Sequence, residues 1–242
     1  MSGHSKWSTI KRKKEKTDGA RAKVFTKIGR EIAVAVREGG PDPAGNSKLK
    51  DVIAKAKANN VPNENIERII KKAAGDTSTE NYENIVYEGY GPAGVAVIVE
   101  ALTDNRQRTA PEVRHAFSKC NGSMGAPGCV SWSFDKKGVI AIADEDKELD
   151  EDTVMMDAMD CGADDFEAEE GGFTIYTDPD AFNDVVKGLE EKGYTFASAE
   201  VEMVPQNYIT LSDEGDIKNM SKLIDMLEDN DDVQNVWHNW EE

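Results

Sequence analysis

Lys6, Lys11, Arg12, Lys13, Lys14, Lys16, Arg21, Lys23, Lys27 and Arg30 place ten cations in a 25-residue stretch that holds two acids, Glu15 and Asp18. Side chains of this type and density displace counterions from a polyphosphate. That attraction needs no base sequence and weakens steeply with salt. Trp7, inside the same stretch, adds a ring that stacks on a nucleobase. The rest of the chain has the opposite sign. Residues 81–242 hold 11 Lys/Arg against 37 Asp/Glu, whereas residues 1–80 hold 18 against 10. The net charge of -18 repels polyanions at long range. Screening beyond about 8 Å in physiological salt still lets a cationic end act alone. The bland reading is a solvated run that aids solubility, for which an acidic chain has little use. Arg68, Lys71 and Lys72 extend the patch weakly, because cations near a helix C-terminus are expected anyway.

A second candidate is Asp104-Asn105-Arg106-Gln107-Arg108-Thr109, between a strand and a helix. Asn105, Arg106 and Arg108 stand where backbone amides and guanidinium groups together make an anion site. Arginine is scarce in the acidic body, with Arg106, Arg108 and Arg114 the three after residue 80. Local pairing of these arginines with Asp104 or Glu112 is the competing reading.

Other chemistries fit poorly, and the reading is of a chain that is not an enzyme and has no cofactor. Gly89-Tyr90-Gly91-Pro92-Ala93-Gly94 matches a dinucleotide fingerprint in letters. A strand follows it where a helix is required, so it reads as a hairpin turn. The acidic run 144–152 has Leu149 where a calcium loop needs glycine. His115, Cys120 and Cys129 match no zinc spacing. Three cysteines without C-x-x-C argue for a reduced, cytoplasmic protein. If Met1 is removed, Ser2-Gly3-His4 has the nitrogen set of a square-planar copper or nickel site. No apolar run approaches the roughly 18 residues of a membrane span, and the N-terminus lacks a signal peptide's apolar stretch.

The elements that must position these residues follow from periodicity. Residues 1–20 show no apolar period and read as an extended or weakly ordered arm. Phe25, Ile28, Ile32 and Val36, then Leu49, Val52, Ile53 and Ala56, then Ile66, Ile69, Ile70 and Ala73 give three helices. Strands at 85–88 and 95–103 follow. A capping box at Thr109–Glu112 opens a helix, a glycine-rich loop comes next, and 130–134 reads as a strand. Residues 138–204 spell β-α-β-β-α-β, the ferredoxin-like order, with Asp178-Pro179 opening its second helix. Residues 205–242 add one more β-α-β. The fold class is therefore α+β and multidomain. An arm and three-helix domain span 1–80, a discontinuous α+β domain spans 81–136 and 205–242, and a ferredoxin-like domain at 137–204 is inserted in it. Two sequential domains are the other arrangement.

Gly3-His4-Ser5-Lys6-Trp7, Phe25-Thr26-Lys27-Ile28, Asn59-Asn60-Val61-Pro62, Tyr87-Glu88-Gly89-Tyr90-Gly91-Pro92, Asp104–Thr109 and Glu112-Val113-Arg114 stand in order along the chain. Together they resemble the YebC/PmpR family, which includes the mitochondrial translational activator of cytochrome oxidase. The resemblance implies three domains, a cytoplasmic location and no catalysis. It also implies either a DNA-binding transcriptional regulator or a translation factor on the ribosome, touching rRNA or tRNA. The expected partners are DNA or ribosomal RNA, with basic ribosomal proteins beside them and no small-molecule substrate. An acidic protein-interaction module is the remaining class.

Overall fold

Apolar spacing and local caps build the helical part. In the computed structural model, which describes residues 10, 18–75, 82–146 and 148–241, α1 spans Asp18–Gly39, α2 Ser47–Ala58 and α3 Asn63–Gly75. Asn46 joins the first two. Its side-chain oxygen accepts from Leu49 N at 3.0 Å, and its amide donates to Ala35 O at 2.7 Å and Gly40 O at 2.9 Å. One buried side chain thus caps α2 and satisfies carbonyls at the end of α1. Ile28, Ile32, Ala35 and Val36 pack against Leu49, Val52, Ala56, Val61, Ile66 and Ala73, with Phe25, Ile53, Ile69 and Ile70 at the margin.

The next elements are β1 (Glu83–Tyr90), β2 (Ala96–Thr103), α4 (Arg106–Lys119) and β3 (Ser123–Met124). After an intervening segment come β8 (Ile209–Thr210), α7 (Glu214–Glu228), β9 (Val233–His238) and β10 (Trp240–Glu241). The sheet order is β3-β1-β2-β9, antiparallel throughout. Val97, Val99 and Ala101 alternate onto one face and meet Val113, Ala116 and Phe117 of α4 and Met220, Leu223, Ile224 and Leu227 of α7. Full burial of each large member contributes roughly 1.5–3 kcal/mol. Beyond the sheet, Val34 and Val52 share a cleft with Asn84, Glu100, Leu102 and Asn235.

The strand expected at 130–134 is absent. Those residues form a 3-10 turn, Ser131–Ser133, because the buried Glu88 carboxylate accepts the amides of Val130 and Ser131 at 2.9 Å each. The third sheet position goes to Ser123–Met124, paired with Gly89 and Tyr90. Gly89 permits that approach, since a Cβ there would lie 2.6 Å from Ser123 O. The expected capping box is displaced as well. Asn105 is the N-cap of α4, accepting from Arg108 N at 3.1 Å, and Thr109 lies inside the helix.

Between these halves run β4 (Phe134–Ala143), α5 (Glu151–Asp160), β5 (Asp165–Glu169), β6 (Gly172–Thr177), α6 (Phe182–Glu191) and β7 (Ser198–Pro205), with sheet order β5-β6-β4-β7. This is the ferredoxin-like arrangement. Asp178 does not cap α6. Its carboxylate accepts from Asp180 N and its carbonyl from Ala181 N, which makes a separate turn before the helix. By contact, Asp18–Phe134 with Pro205–Glu242 is one compact unit and Asp135–Val204 belongs to another. Ile10 is buried against Ala141, with Ala197 beside them.

Candidate nucleic-acid interface

Of the candidate cations, Lys6, Lys11, Arg12, Lys13, Lys14 and Lys16 lie outside the described residues, as do Trp7, the copper-type terminus and the Arg21 side chain. The rest fall into two groups with different duties.

The first group is engaged by the protein itself. Lys23, Lys27 and Arg30 recur at helical spacing, so they share one face of α1. That face meets the C-terminal end of α7, where carbonyls lack helical partners. Lys23 Nζ donates to Asp229 Oδ1 at 2.8 Å and Asp229 O at 3.3 Å. Lys27 Nζ donates to Glu228 O at 2.6 Å. Arg30 Nη1 donates to Asp231 O at 2.7 Å and Asp232 Oδ1 at 2.8 Å. Charge counting along the sequence does not reveal this clasp, because its partners stand about two hundred residues away.

Asp232 is the hub. It is 3% exposed. Arg108 donates to its carboxylate through Nε at 3.1 Å and Nη2 at 2.7 and 2.9 Å, and Thr109 Oγ1 through a 2.8 Å bond. Burial pushes the Asp232 carboxyl up. Hydrogen bonds from Arg108, Thr109 and Arg30 outweigh that and hold it below the usual carboxylate range. The bonds to Asp232, then to Asp104, raise Arg108 in turn. Arg108 also pairs with Asp104 at 2.8 Å. The guanidinium is thus turned toward two carboxylates, one local and one from the far end of the chain. Asn105 is likewise occupied as a cap.

The second group is open. Arg106 is exposed in the first turn of α4, and its guanidinium makes no ion pair among the described residues. Arg68, Lys71 and Lys72 are exposed on one face of α3, with Glu64 and Glu67 nearby. Such a mixed face suits phosphate contacts better than base reading, which needs side chains aimed at base edges in a groove. Negative charge concentrates elsewhere: Asp135–Val204 holds 22 Asp/Glu against 5 Lys/Arg.

One exposed feature was not singled out from sequence. Trp132 is 72% exposed, Tyr90 41%. Both bond to Cys129 O, Tyr90 Oη at 2.9 Å and Trp132 Nε1 at 2.9 Å. The only available signal was an aromatic residue in a glycine-rich, uncharged stretch, and the V-x-W-x-F alternation there reads as a buried strand. The remaining chemical candidates stay separate. His115 is exposed on α4 and Cys120 is buried in the core. Among the described residues no three His, Cys, Asp or Glu side chains converge as a metal site, and no helix is long and apolar enough to cross a membrane.

Comparison with known proteins extends over the whole chain. Residues 5–76 match the family model described as the TACO1/YebC protein N-terminal domain. Residues 82–240 match that of the TACO1/YebC second and third domain. A protein of Acetivibrio thermocellus is 64% identical over 240 residues, 99% of each chain. One of Agathobacter rectalis is 60% identical over 242 residues, the full length of both. Each of the two is named a probable transcriptional regulatory protein. Among solved structures, a conserved hypothetical protein of Aquifex aeolicus superposes with a TM-score of 0.84 at 44% identity, covering 93% of this chain and 92% of that one.

Proposed function

The chain belongs to the TACO1/YebC family, and on that premise we propose that it is a non-catalytic, nucleic-acid-binding regulator of gene expression acting in the cytoplasm. The observation that carries this reading is the segregation of charge. Six Lys/Arg stand against one acid in residues 1–17. Arg68, Lys71, Lys72 and Arg106 are exposed on the helical and first α+β parts, and the acid is gathered in Asp135–Val204. A polyphosphate is attracted to the cationic groups and repelled by the acidic ones, which suit a basic protein instead. Lys23, Lys27, Arg30 and Arg108 serve this surface indirectly, by fixing α1 and α4 against Asp232 and the end of α7.

The names of the relatives favour transcriptional regulation, for which duplex DNA is the ligand to test. The chemistry of the open cations favours backbone contact without base reading, which suits structured RNA on the ribosome equally well. Fluorescence anisotropy with a labelled 20-base-pair duplex DNA and a labelled ribosomal RNA hairpin, at several salt concentrations, tests the proposal. Salt-steep binding of either supports it, and the tighter ligand selects the branch. Binding of neither, at salt as low as about 50 mM, refutes it.

A further inference from the structure

Between α4 and β4 runs a connection without charge, which includes β3 and a 3-10 turn. Residues 120–134 contain no Asp, Glu, Lys, Arg or His, in a chain that is 31% charged. The loop is nonetheless built. Glu88, 6% exposed, accepts Gly128 N at 2.7 Å and the amides of Val130 and Ser131 at 2.9 Å. Burial raises this carboxyl, but the three backbone bonds outweigh it and leave it below the usual range. Gly128 turns at φ 87°, in the left-handed region. Gly125 N adds a bond to Glu88 O at 2.8 Å. One buried carboxylate therefore holds the turn whose Cys129 carbonyl anchors both Tyr90 and Trp132.

The consequence is a pair of exposed aromatic rings whose polar atoms are already occupied. The indole N–H and the phenol O–H both donate to Cys129 O. What Trp132 offers to solvent is ring carbon, held in place before any ligand arrives. We propose that Trp132, with Tyr90 beside it, is a stacking platform for an unpaired nucleobase. The proposal rests on the nucleic-acid reading above and adds to it the state of the ligand: single-stranded or looped, since a paired base keeps its faces inside the duplex. A ring face accepts any base, because every base has a π-face. Residues 120–134 carry no acid of their own; the nearest negative charges are Glu88, buried under the turn, and the exposed Asp135 that follows it.

The test uses the full chain and a 12-nucleotide single strand carrying 2-aminopurine, whose fluorescence is quenched on stacking. The same strand annealed to its complement is the control. Wild type quenches the single strand. Trp132→Ala abolishes the quench and weakens single-strand binding about 5- to 150-fold, the range expected for one lost base stack, with little effect on the duplex. Trp132→Phe retains most of both signals, which separates stacking from any disturbance of the turn, and thermal melting checks that both variants fold. Wild-type affinity and quenching in Trp132→Ala, with salt-dependent binding intact, overturns the platform and leaves the wider function standing. Binding of no oligonucleotide by wild type overturns both. Loss of single-strand and duplex binding alike in Trp132→Ala, without loss of folding, also overturns the platform.

Discussion

Replacing Asp232 with Ala leaves Arg30, Arg108 and Thr109 facing a hole where a carboxylate stood. The side chain of Asp232 is 4% exposed, that of Arg30 21% and that of Arg108 42%. Breaking a fully buried pair from one side costs about 3–5 kcal/mol. Here the freed guanidinium groups can turn partly to water, as exposed ion pairs do, so the expected cost is about 2–4 kcal/mol. For a chain of this size each kcal/mol lowers Tm by roughly 2–4 °C. Asp232→Ala should therefore lower the melting temperature of the unit holding α1, α4 and α7 by about 5–15 °C. Asp232→Asn keeps the volume but sets an NH2 against guanidinium donors, and falls between, at about 1–3 kcal/mol.

The pH dependence has a definite sign. The folded carboxyl lies below its ordinary value, so its contribution is complete above the unfolded value of about 3.9. It is lost as pH falls through the lower folded value. The gap between wild type and Asp232→Ala is then constant from neutral pH to about pH 5 and closes in stronger acid. Calorimetry at pH 7, 5 and 3 measures it. A loss under about 2 °C at pH 7 would refute the view that Asp232 ties the helical part to α7.

Two further substitutions divide structural from exposed roles. Arg108→Ala should lower Tm through loss of the Asp232 and Asp104 bonds, while Arg106→Ala leaves it within about 1 °C and weakens polyanion binding; equal melting temperatures for the two variants would contradict this division. In the ferredoxin-like part, burial and then the charge of Glu167 push the Glu169 carboxyl up to about 7. A folded pKa above the unfolded value makes stability fall as pH rises from about 4.3 toward 7. Glu169→Gln should raise Tm by a few degrees at pH 8 and change little at pH 4, and a pH-independent effect would count against the raised value.

What the sequence disclosed and what it hid divide along physical lines. The three N-terminal helices were legible because Ile28, Ile32, Leu49, Val52 and Ile66 repeat at helical spacing and Asn46 caps locally. The β-α-β-β-α-β order was legible from short apolar runs punctuated by Gly171-Gly172 and Asp178-Pro179. The third strand of the first sheet was not, since Ser123–Met124 is too short to show a period. Val130, Trp132 and Phe134 imitate a strand, and the buried Glu88, 40 to 43 residues upstream of the amides it binds, overrides that pattern. The least legible feature concerns charge. Lys23, Lys27 and Arg30 look identical in sequence to the arm's other cations, yet their partners Glu228, Asp229, Asp231 and Asp232 are brought near only by the fold. The competing reading of Arg108, a pair with Asp104, is present in the structure. The pair with Asp232 had no local signal.

The salt dependence of nucleic-acid binding by the full chain bears most directly on the central claim that the cationic N-terminal segment grips phosphates. Replacing Lys11, Arg12, Lys13 and Lys14 together with Ala should weaken binding and flatten the slope of log K against log salt by up to about 3–4 units. An unchanged slope in that variant, with binding retained, would show that the grip lies elsewhere and would contradict the account.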